Sequence, residues 1–454
     1  MTTRVSLSTT GSNTITSTRA ITTRAITAVK PLTSTKFLFK LLSLTASLII
    51  SASCVAVEIN QDSNPEIKDT TTPYVLLISI DGYRHDYNQV HEPKNLIKFA
   101  KNAAKVTQFT PSFPTVTFPN HLTLVTGLYP SHHGIVANRF YNPTLDRHYA
   151  LSDREAVTDG RFYDGVPLWS LAAQQNMKSA TYFWPGSEAE IAGHRPTYWQ
   201  KYDGRTPNEL RVKQVIDWFN LPKADRPQFV TLYFSDVDSA GHHHGPLSHK
   251  TYDAVQYIDT IIGNLLAQID TLPFAVNVII TSDHGMANVD KFERVYTDKL
   301  FGENKDLRSR FSFINDAAFS LVHANGHDKK HDLIELEKLV DQTEGLVFYR
   351  KESIPKHLEF DFNPSIGDAI LVTHDHFITS TDAKAGPIGK HGYYAEAVPD
   401  MNTILYANGP AFKAGARVTQ AKNIHLYPLI AEILNLSITE PVDGQLEVLQ
   451  PLLK

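Results

Sequence analysis

Apolar residues in this chain gather into short unbroken runs, and three of the runs end on an acid. Tyr74 to Ile80 (YVLLISI) stops at Asp81-Gly82. Phe229 to Phe234 (FVTLYF) runs into Ser235-Asp236-Val237-Asp238 and then Gly241-His242-His243-His244. Val276 to Ile280 (VNVII) runs into Thr281-Ser282-Asp283-His284-Gly285. Continuous apolar runs of this length predict central parallel strands buried on both faces. The carboxyl ends of such strands are where α/β sheets place their ligands. A fourth run, Thr403 to Tyr406 (TILY), follows Gly389-Lys390-His391-Gly392, so that four strand tips are expected to converge. Between the runs, helical spacing takes over. Thr251 to Asp270 carries Val255, Ile258, Ile262, Leu265 and Ile269 on one face, and Leu426 to Leu436 reads as a closing helix. The alternation predicts an α/β fold with a mostly parallel central sheet and helices on both faces. From about 287 to 384 the pattern weakens and charges cluster (His327-Asp328-Lys329-Lys330-His331-Asp332), which reads as an inserted cap subdomain.

The stretch Thr115 to Gly134 reads as a turn feeding a helix. Pro119 suits a first helical turn, Leu122, Val125 and Leu128 recur at helical spacing, and Gly127 is the stop. A hydroxyl at the entry, Thr117, sits against the positive end of the helix dipole, which favours an alkoxide and an anionic substrate such as phosphate. Alone, Thr117 reads as an N-cap. The Asp and His residues at the strand tips reverse that reading, because His and carboxylate ligands in two groups suit a pair of zinc ions. Asp238 and His242 are four apart, close enough to meet on one helical turn, and the adjacent Asp283 and His284 can turn to different sides of a site. Two metals about 4 Å apart clamp the attacking and leaving oxygens of an in-line phosphoryl displacement.

Composition narrows the options. The chain of 454 residues has a net charge of −5, which predicts no nucleic-acid-coating surface, and a single cysteine, Cys54, which excludes intramolecular disulfides and Cys-based catalysis within the fold. No acid precedes Glu58, whereas Arg4, Arg19, Arg24, Lys30, Lys36 and Lys40 do, and the apolar run Leu41 to Ile50 follows. Residues 1–56 therefore read as an export leader, with an organelle transit peptide as the competing reading. Residues 57–72 read as a linker and 73–454 as the catalytic domain. The expected location is periplasmic or secreted. Ser51-Ala52-Ser53-Cys54 loosely resembles a lipobox, and membrane contact is expected only if Cys54 is lipidated.

The segments Ile80-Asp81-Gly82, Pro114 to His121, Thr126-Gly127-Leu128-Tyr129-Pro130, His133-Gly134-Ile135, Phe183 to Ser187, Asp238 to His242, Ser282 to Met286 and His391-Gly392 stand in the order found in one family. From about Tyr74 to Phe412 the chain resembles the nucleotide pyrophosphatase/phosphodiesterase family of the alkaline phosphatase superfamily. That resemblance implies an alkaline-phosphatase-like fold and two zinc ions. One would be held by Asp238, His242 and His391, the other by Asp81, Asp283 and His284 together with the Thr117 oxygen. It implies that Thr117 attacks phosphorus to give a phospho-threonine ester, and that Asn138 and the Phe118 N–H stabilise developing charge. Phe118 and Tyr202 would sandwich a nucleobase, with Trp184, Pro185 and Tyr233 near the sugar and phosphate. His243 and His244 are expected to face solvent, and His121 and His133 to support the active helix. The sequence departs from the family at Val116, where many relatives carry Lys, and its lone cysteine leaves out the disulfide-linked extra domains of animal members.

The implied activity is hydrolysis of nucleotide phosphodiester or pyrophosphate bonds to nucleoside 5′-monophosphates. The same fold could cleave phospholipid head groups instead. A reading from another class is a silent zinc-containing binding protein, which the complete ligand set and Thr117 oppose. Sulfatases share the ancestry but need a modified Cys or Ser.

Overall fold

Three of the apolar runs form neighbouring strands at the centre of an eight-stranded sheet. The computed structural model describes residues 68–381 and 386–454, and the readings of the leader, of Cys54 and of the first part of the linker fall outside them. Val75–Ile80 lies between Phe229–Phe234 and Asn277–Thr281, parallel to both, and all three are buried along their whole length. The sheet continues on one side through Ser179–Tyr182 to Tyr198–Gln200. On the other side follow Thr403–Asn408, Ala104–Thr110 and Arg417–Lys422. Seven strands point one way. Only Thr403–Asn408 runs against its neighbours. Val, Ile, Leu and Phe dominate the middle strands because helices cover both faces and leave no polar side. The expected α/β architecture, with its mostly parallel sheet, is what the chain adopts.

Helix His249–Ile269 covers one face, burying Val255, Ile258, Ile262, Leu265 and Ile269 against Leu76, Ile78 and Val230. The other face carries Thr117–Thr126 and Leu426–Ile433. The second of these stops before the anticipated Leu436, where Asn435 turns the chain at a positive φ of 56°.

Within the stretch 287–384 lies a separate antiparallel sheet in the order Phe311–Asp316, Phe319–Ala324, Ala369–Val372, Val347–Arg350, backed by helix Lys329–Val340. Its apolar side chains, among them Phe311, Val322, Leu336 and Leu371, form their own small core. The charged run 327–332 is the entry to that helix, where Asp328 accepts the His331 N–H as a cap.

One strand-level expectation is corrected. His391 is not delivered by a tip of the main sheet. It follows the two-residue strand Gly389–Lys390, which pairs antiparallel with Ala287–Asn288, and Thr403–Asn408 enters the sheet only afterwards, in the opposite direction. An apolar run discloses that a strand is buried but not which way it points.

Candidate active site at the carboxyl ends of the central strands

The three acids stand where the parallel strands end. Asp81 follows Ile80, with its N–H bonded to the Phe234 carbonyl at 2.9 Å. Asp283 follows the neighbouring strand by two residues, and its Oδ1 accepts the Gly82 N–H at 3.2 Å. Gly82 holds a positive φ of 69°, and a Cβ there would lie 2.9 Å from the Asp238 Cα, so the turn needs glycine on both counts. Asp238 and His242 belong to helix Asp236–His244, and that spacing brings His242 Nε2 to 3.3 Å from Asp238 Oδ1.

Thr117 opens helix Thr117–Thr126, but not as its cap. Val116 is the capping residue, and the Thr117 hydroxyl instead reaches the His284 Nε2 at 3.1 Å. The loop ahead of it is braced by Asn120, whose Oδ1 accepts the Ser112 N–H and whose Nδ2 donates to the carbonyls of Ser112, Pro114 and Val116. The helix ends at Gly127, in the left-handed conformation at φ 68°.

Distant His391 is tied to this same loop. Its Nδ1 donates to the Thr115 carbonyl at 2.9 Å, while the Thr115 hydroxyl donates to the Tyr393 carbonyl and accepts the Gly392 N–H. The other two imidazoles are held alike, His242 Nδ1 to the Gly389 carbonyl at 2.8 Å and His284 Nδ1 to the Gly285 carbonyl at 3.0 Å. A carbonyl facing Nδ1 fixes the proton there and leaves Nε2 as a bare lone pair turned into the site.

Those lone pairs crowd one another. His391 Nε2 lies 3.1 Å from His242 Nε2 with no proton between them, and 3.6 Å from Asp238 Oδ1. His284 Nε2 lies 3.1 Å from Asp283 Oδ2 and 3.5 Å from Asp81 Oδ1. Asp81 Oδ1, Asp238 Oδ1 and Asp283 Oδ2 are buried without any hydrogen-bond partner. Burial, and then the neighbouring acids, push Asp81 well above the usual carboxylate range. Burial and Asp238 push Asp283 to about 8. Burial, together with neighbouring positive charge that includes Lys390, drives His284 and His391 well below their usual values.

Bare acceptors this close, and acids this reluctant to ionise, are an arrangement that divalent cations complete. Two groups meet the spacing for an ion: Asp81, Asp283 and His284, and Asp238, His284 and His391. His242 adds a donor to the second by its 3.3 Å and 3.1 Å contacts, and His284 stands beside both.

The supporting residues are placed by hydrogen bonds. Tyr233, expected near the sugar and phosphate, donates its hydroxyl to Asp81 Oδ2 at 2.5 Å, while Oδ1 is left without a hydrogen-bond partner. His121 reaches the Thr117 carbonyl at 2.9 Å and the Ser79 hydroxyl at 2.9 Å, and His133 lies buried against Thr123 and Pro119. His243 and His244 are exposed. The Phe118 N–H is engaged with Asn138 Oδ1 at 3.0 Å, which holds Asn138 against the first turn of the Thr117 helix. The two are coupled rather than parallel donors in this state.

A cavity of about 280 Å³ opens beside Thr117, with Phe118, Tyr202, Tyr233, Trp184 and Pro185 in its wall. Trp184 is buried, and its indole N–H donates to the His121 carbonyl at 3.1 Å, so it props the helix as well as lining the pocket. No sequence pattern pointed to Glu188 and Arg154, which form an ion pair in the same wall, with Glu188 Oε1 accepting the Tyr202 N–H. The braces Thr115 and Asn120 were also missed as such, although both lie inside the PTVTFPNH segment. Val116 is fully buried, so no cation enters the site from that position.

A mostly parallel sheet with the Thr117 helix and a cluster of Asp and His residues that could hold cations at its carboxyl edge defines an alkaline-phosphatase-like α/β protein. The chain belongs to the type I phosphodiesterase / nucleotide pyrophosphatase family, whose model matches residues 75–394. It is 33% identical over 375 residues to ectonucleotide pyrophosphatase/phosphodiesterase family member 1 of Rattus norvegicus, a match that covers 80% of this chain and 41% of the relative. An uncharacterized pyrophosphatase/phosphodiesterase of Schizosaccharomyces pombe is 32% identical over 399 residues, covering 83% of this chain and 80% of the relative. Among solved structures, murine ectonucleotide pyrophosphatase / phosphodiesterase 5, as an inactive threonine-to-alanine variant in complex with AMP, superposes with a TM-score of 0.78 at 28% identity, covering 84% of this chain and 100% of that one. The chain thus spans about two fifths of the length of the rat relative.

Proposed function

We propose that this protein is a zinc-dependent nucleotide phosphodiesterase and pyrophosphatase that releases nucleoside 5′-monophosphates through a covalent threonine ester. The observation that carries this reading is the Thr117 hydroxyl, 3.1 Å from His284 Nε2 amid three buried carboxylate oxygens without partners, at the mouth of an aromatic pocket. In this reading Asp81, Asp283 and His284 hold one zinc ion and Asp238, His242 and His391 the other. When bound, the ions supply the Lewis acidity that a weak hydroxyl nucleophile needs. Thr117 Oγ1 attacks phosphorus as the bond to the leaving oxygen breaks, and water then cleaves the threonine ester. The Asn138 amide donates to a phosphoryl oxygen as charge builds there. Phe118 and Tyr202 hold the base between their rings. Support comes from the AMP-bound murine relative, whose threonine-to-alanine variant is inactive, and from the activity that gives the family its description. Export is part of the same proposal. It rests on the basic and apolar character of residues 1–56, and no described helix is long and apolar enough to cross a membrane.

Chelation followed by zinc addition should abolish and then restore hydrolysis of the nitrophenyl ester of thymidine 5′-phosphate. Thr117→Ala should lower turnover by about 1,000-fold or more while zinc content stays unchanged. Wild-type turnover in that variant would sink the covalent route. Phe118→Ala and Tyr202→Ala should each raise the Michaelis constant for nucleotides about 10-fold, the worth of one stacking contact, and leave bis-nitrophenyl phosphate unaffected. Equal effects on both substrates would remove the base sandwich.

A further inference from the structure

We infer that the leaving group of the substrate, a phosphate-bearing one, is received in a second cavity between the hairpin after Asn138 and the inserted sheet, given the in-line attack by Thr117 proposed above. That cavity measures about 620 Å³, and Arg139, His148 and Lys390 contribute its basic groups. Each of its two strong cations adjoins a site residue in the chain. Arg139 follows Asn138, and Lys390 precedes His391.

In-line displacement fixes the direction. In the proposed assignment the Thr117 oxygen belongs with Asp81, Asp283 and His284, so the leaving oxygen departs on the opposite side, toward Asp238, His242 and His391. The loop carrying His391 leads directly to Lys390 in the cavity wall. The aromatic pocket touches both proposed ion sites, with Asp81 and Asp238 in its wall. Its wall holds none of the cavity's residues, and the two are separated by the packed pair Phe118 and Tyr149, whose ring centres are 6.3 Å apart.

The charges suit a polyphosphate. Asp316 is the acid in the wall, and it is occupied by the Lys390 ammonium at 2.9 Å, which also ties the inserted sheet to the His391 loop. Arg139 is exposed, with one guanidinium nitrogen donating to the Asn315 carbonyl at 3.0 Å and the rest of its fork free to meet an anion. Val116 offers no charge, so these side chains are the cations that the described residues place on the leaving side. A second cavity of about 590 Å³ shares His148 and Ile314 with the first, which leaves room for a leaving group longer than pyrophosphate.

The test compares a charged leaving group with a neutral aryl one. In the zinc-loaded Thr117→Ala protein, Arg139→Gln and Lys390→Met should each weaken ATP binding about 10-fold in calorimetry, the loss of one charge-assisted contact, and leave AMP binding unchanged. With Thr117 intact, Arg139→Gln should lower kcat/KM for ATP about 10-fold but not for the nitrophenyl ester of thymidine 5′-phosphate. Arg139→Gln is the deciding variant, because exposed Arg139 touches no proposed ligand, whereas Lys390 adjoins one. If Arg139→Gln weakens AMP and ATP alike, or neither, the leaving-group site is wrong. Wild-type hydrolysis of the nitrophenyl ester would still stand for the proposed function, so the two can fail separately.

Discussion

Two buried aspartates differ in how fully the fold satisfies them. Asp259, on the inner face of helix His249–Ile269, accepts from the Asn95 N–H at 3.0 Å, the Asn95 Nδ2 at 2.9 Å and the Leu96 N–H at 2.7 Å. Helix Lys94–Asn102 begins behind Pro93, which has no capping side chain, so Asp259 caps it from a neighbouring helix. Every oxygen of that acid has a donor. Asp283 is equally buried, yet its Oδ2 has no hydrogen-bond partner and faces His284 Nε2 at 3.1 Å. One carboxylate is finished by the fold. The other is left for something the chain does not supply.

The largest consequence concerns activity. Asp283→Asn should lower turnover by about 1,000-fold or more, while Asp259→Asn should leave kcat within a few-fold in protein that stays folded. Comparable losses in both variants would erase the distinction. Stability should move in opposite directions. In chelator-treated protein at pH 8, Asp283→Asn should raise the unfolding free energy by about 1 kcal/mol or more, because it removes a fully buried carboxylate charge whose Oδ2 accepts no hydrogen bond. Asp259→Ala should lower it by about 1–3 kcal/mol, the cost of leaving buried N–H groups unmet. Denaturant titration of the metal-free proteins checks both.

The smallest effect is a pH slope. Asp283 lies at about 8 in the folded, metal-free protein, against about 4 in an unfolded chain. Between those values the folded state holds the extra proton, so this contribution is fully present below about pH 4 and is lost as pH rises through 8. Metal-free protein should therefore lose up to about 1.4 kcal/mol per pH unit across this window, and Asp283→Asn should flatten the slope. Zinc competes with the same proton, so saturating zinc should flatten it too. A slope that persists in Asp283→Asn would assign it to other groups, with Asp81 the first to examine by the same substitution.

Much of this was legible in the sequence because it is local. Unbroken apolar runs announced the three central strands, since a strand covered on both faces has no polar side. The spacing of Asp238 and His242 announced a helical turn, and Gly127 announced where the Thr117 helix stops. These features need only neighbouring residues to decide them.

What the tertiary structure alone decided is pairing at long range. That Thr403–Asn408 runs against the sheet, that His391 is latched to Thr115 across 276 positions, and that Tyr233 turns its hydroxyl to Asp81 all depend on which elements pack together. The same holds for the Glu188 and Arg154 pair in the pocket wall and for the Lys390 and Asp316 tie to the inserted sheet. Hydrophobic periodicity carries no record of hydrogen-bond partners, because a polar residue looks the same in sequence whether its atoms are satisfied or left bare. The chain could thus disclose which acids and imidazoles were available. Only folding determined that their lone pairs would face one another, with the Thr117 hydroxyl against His284.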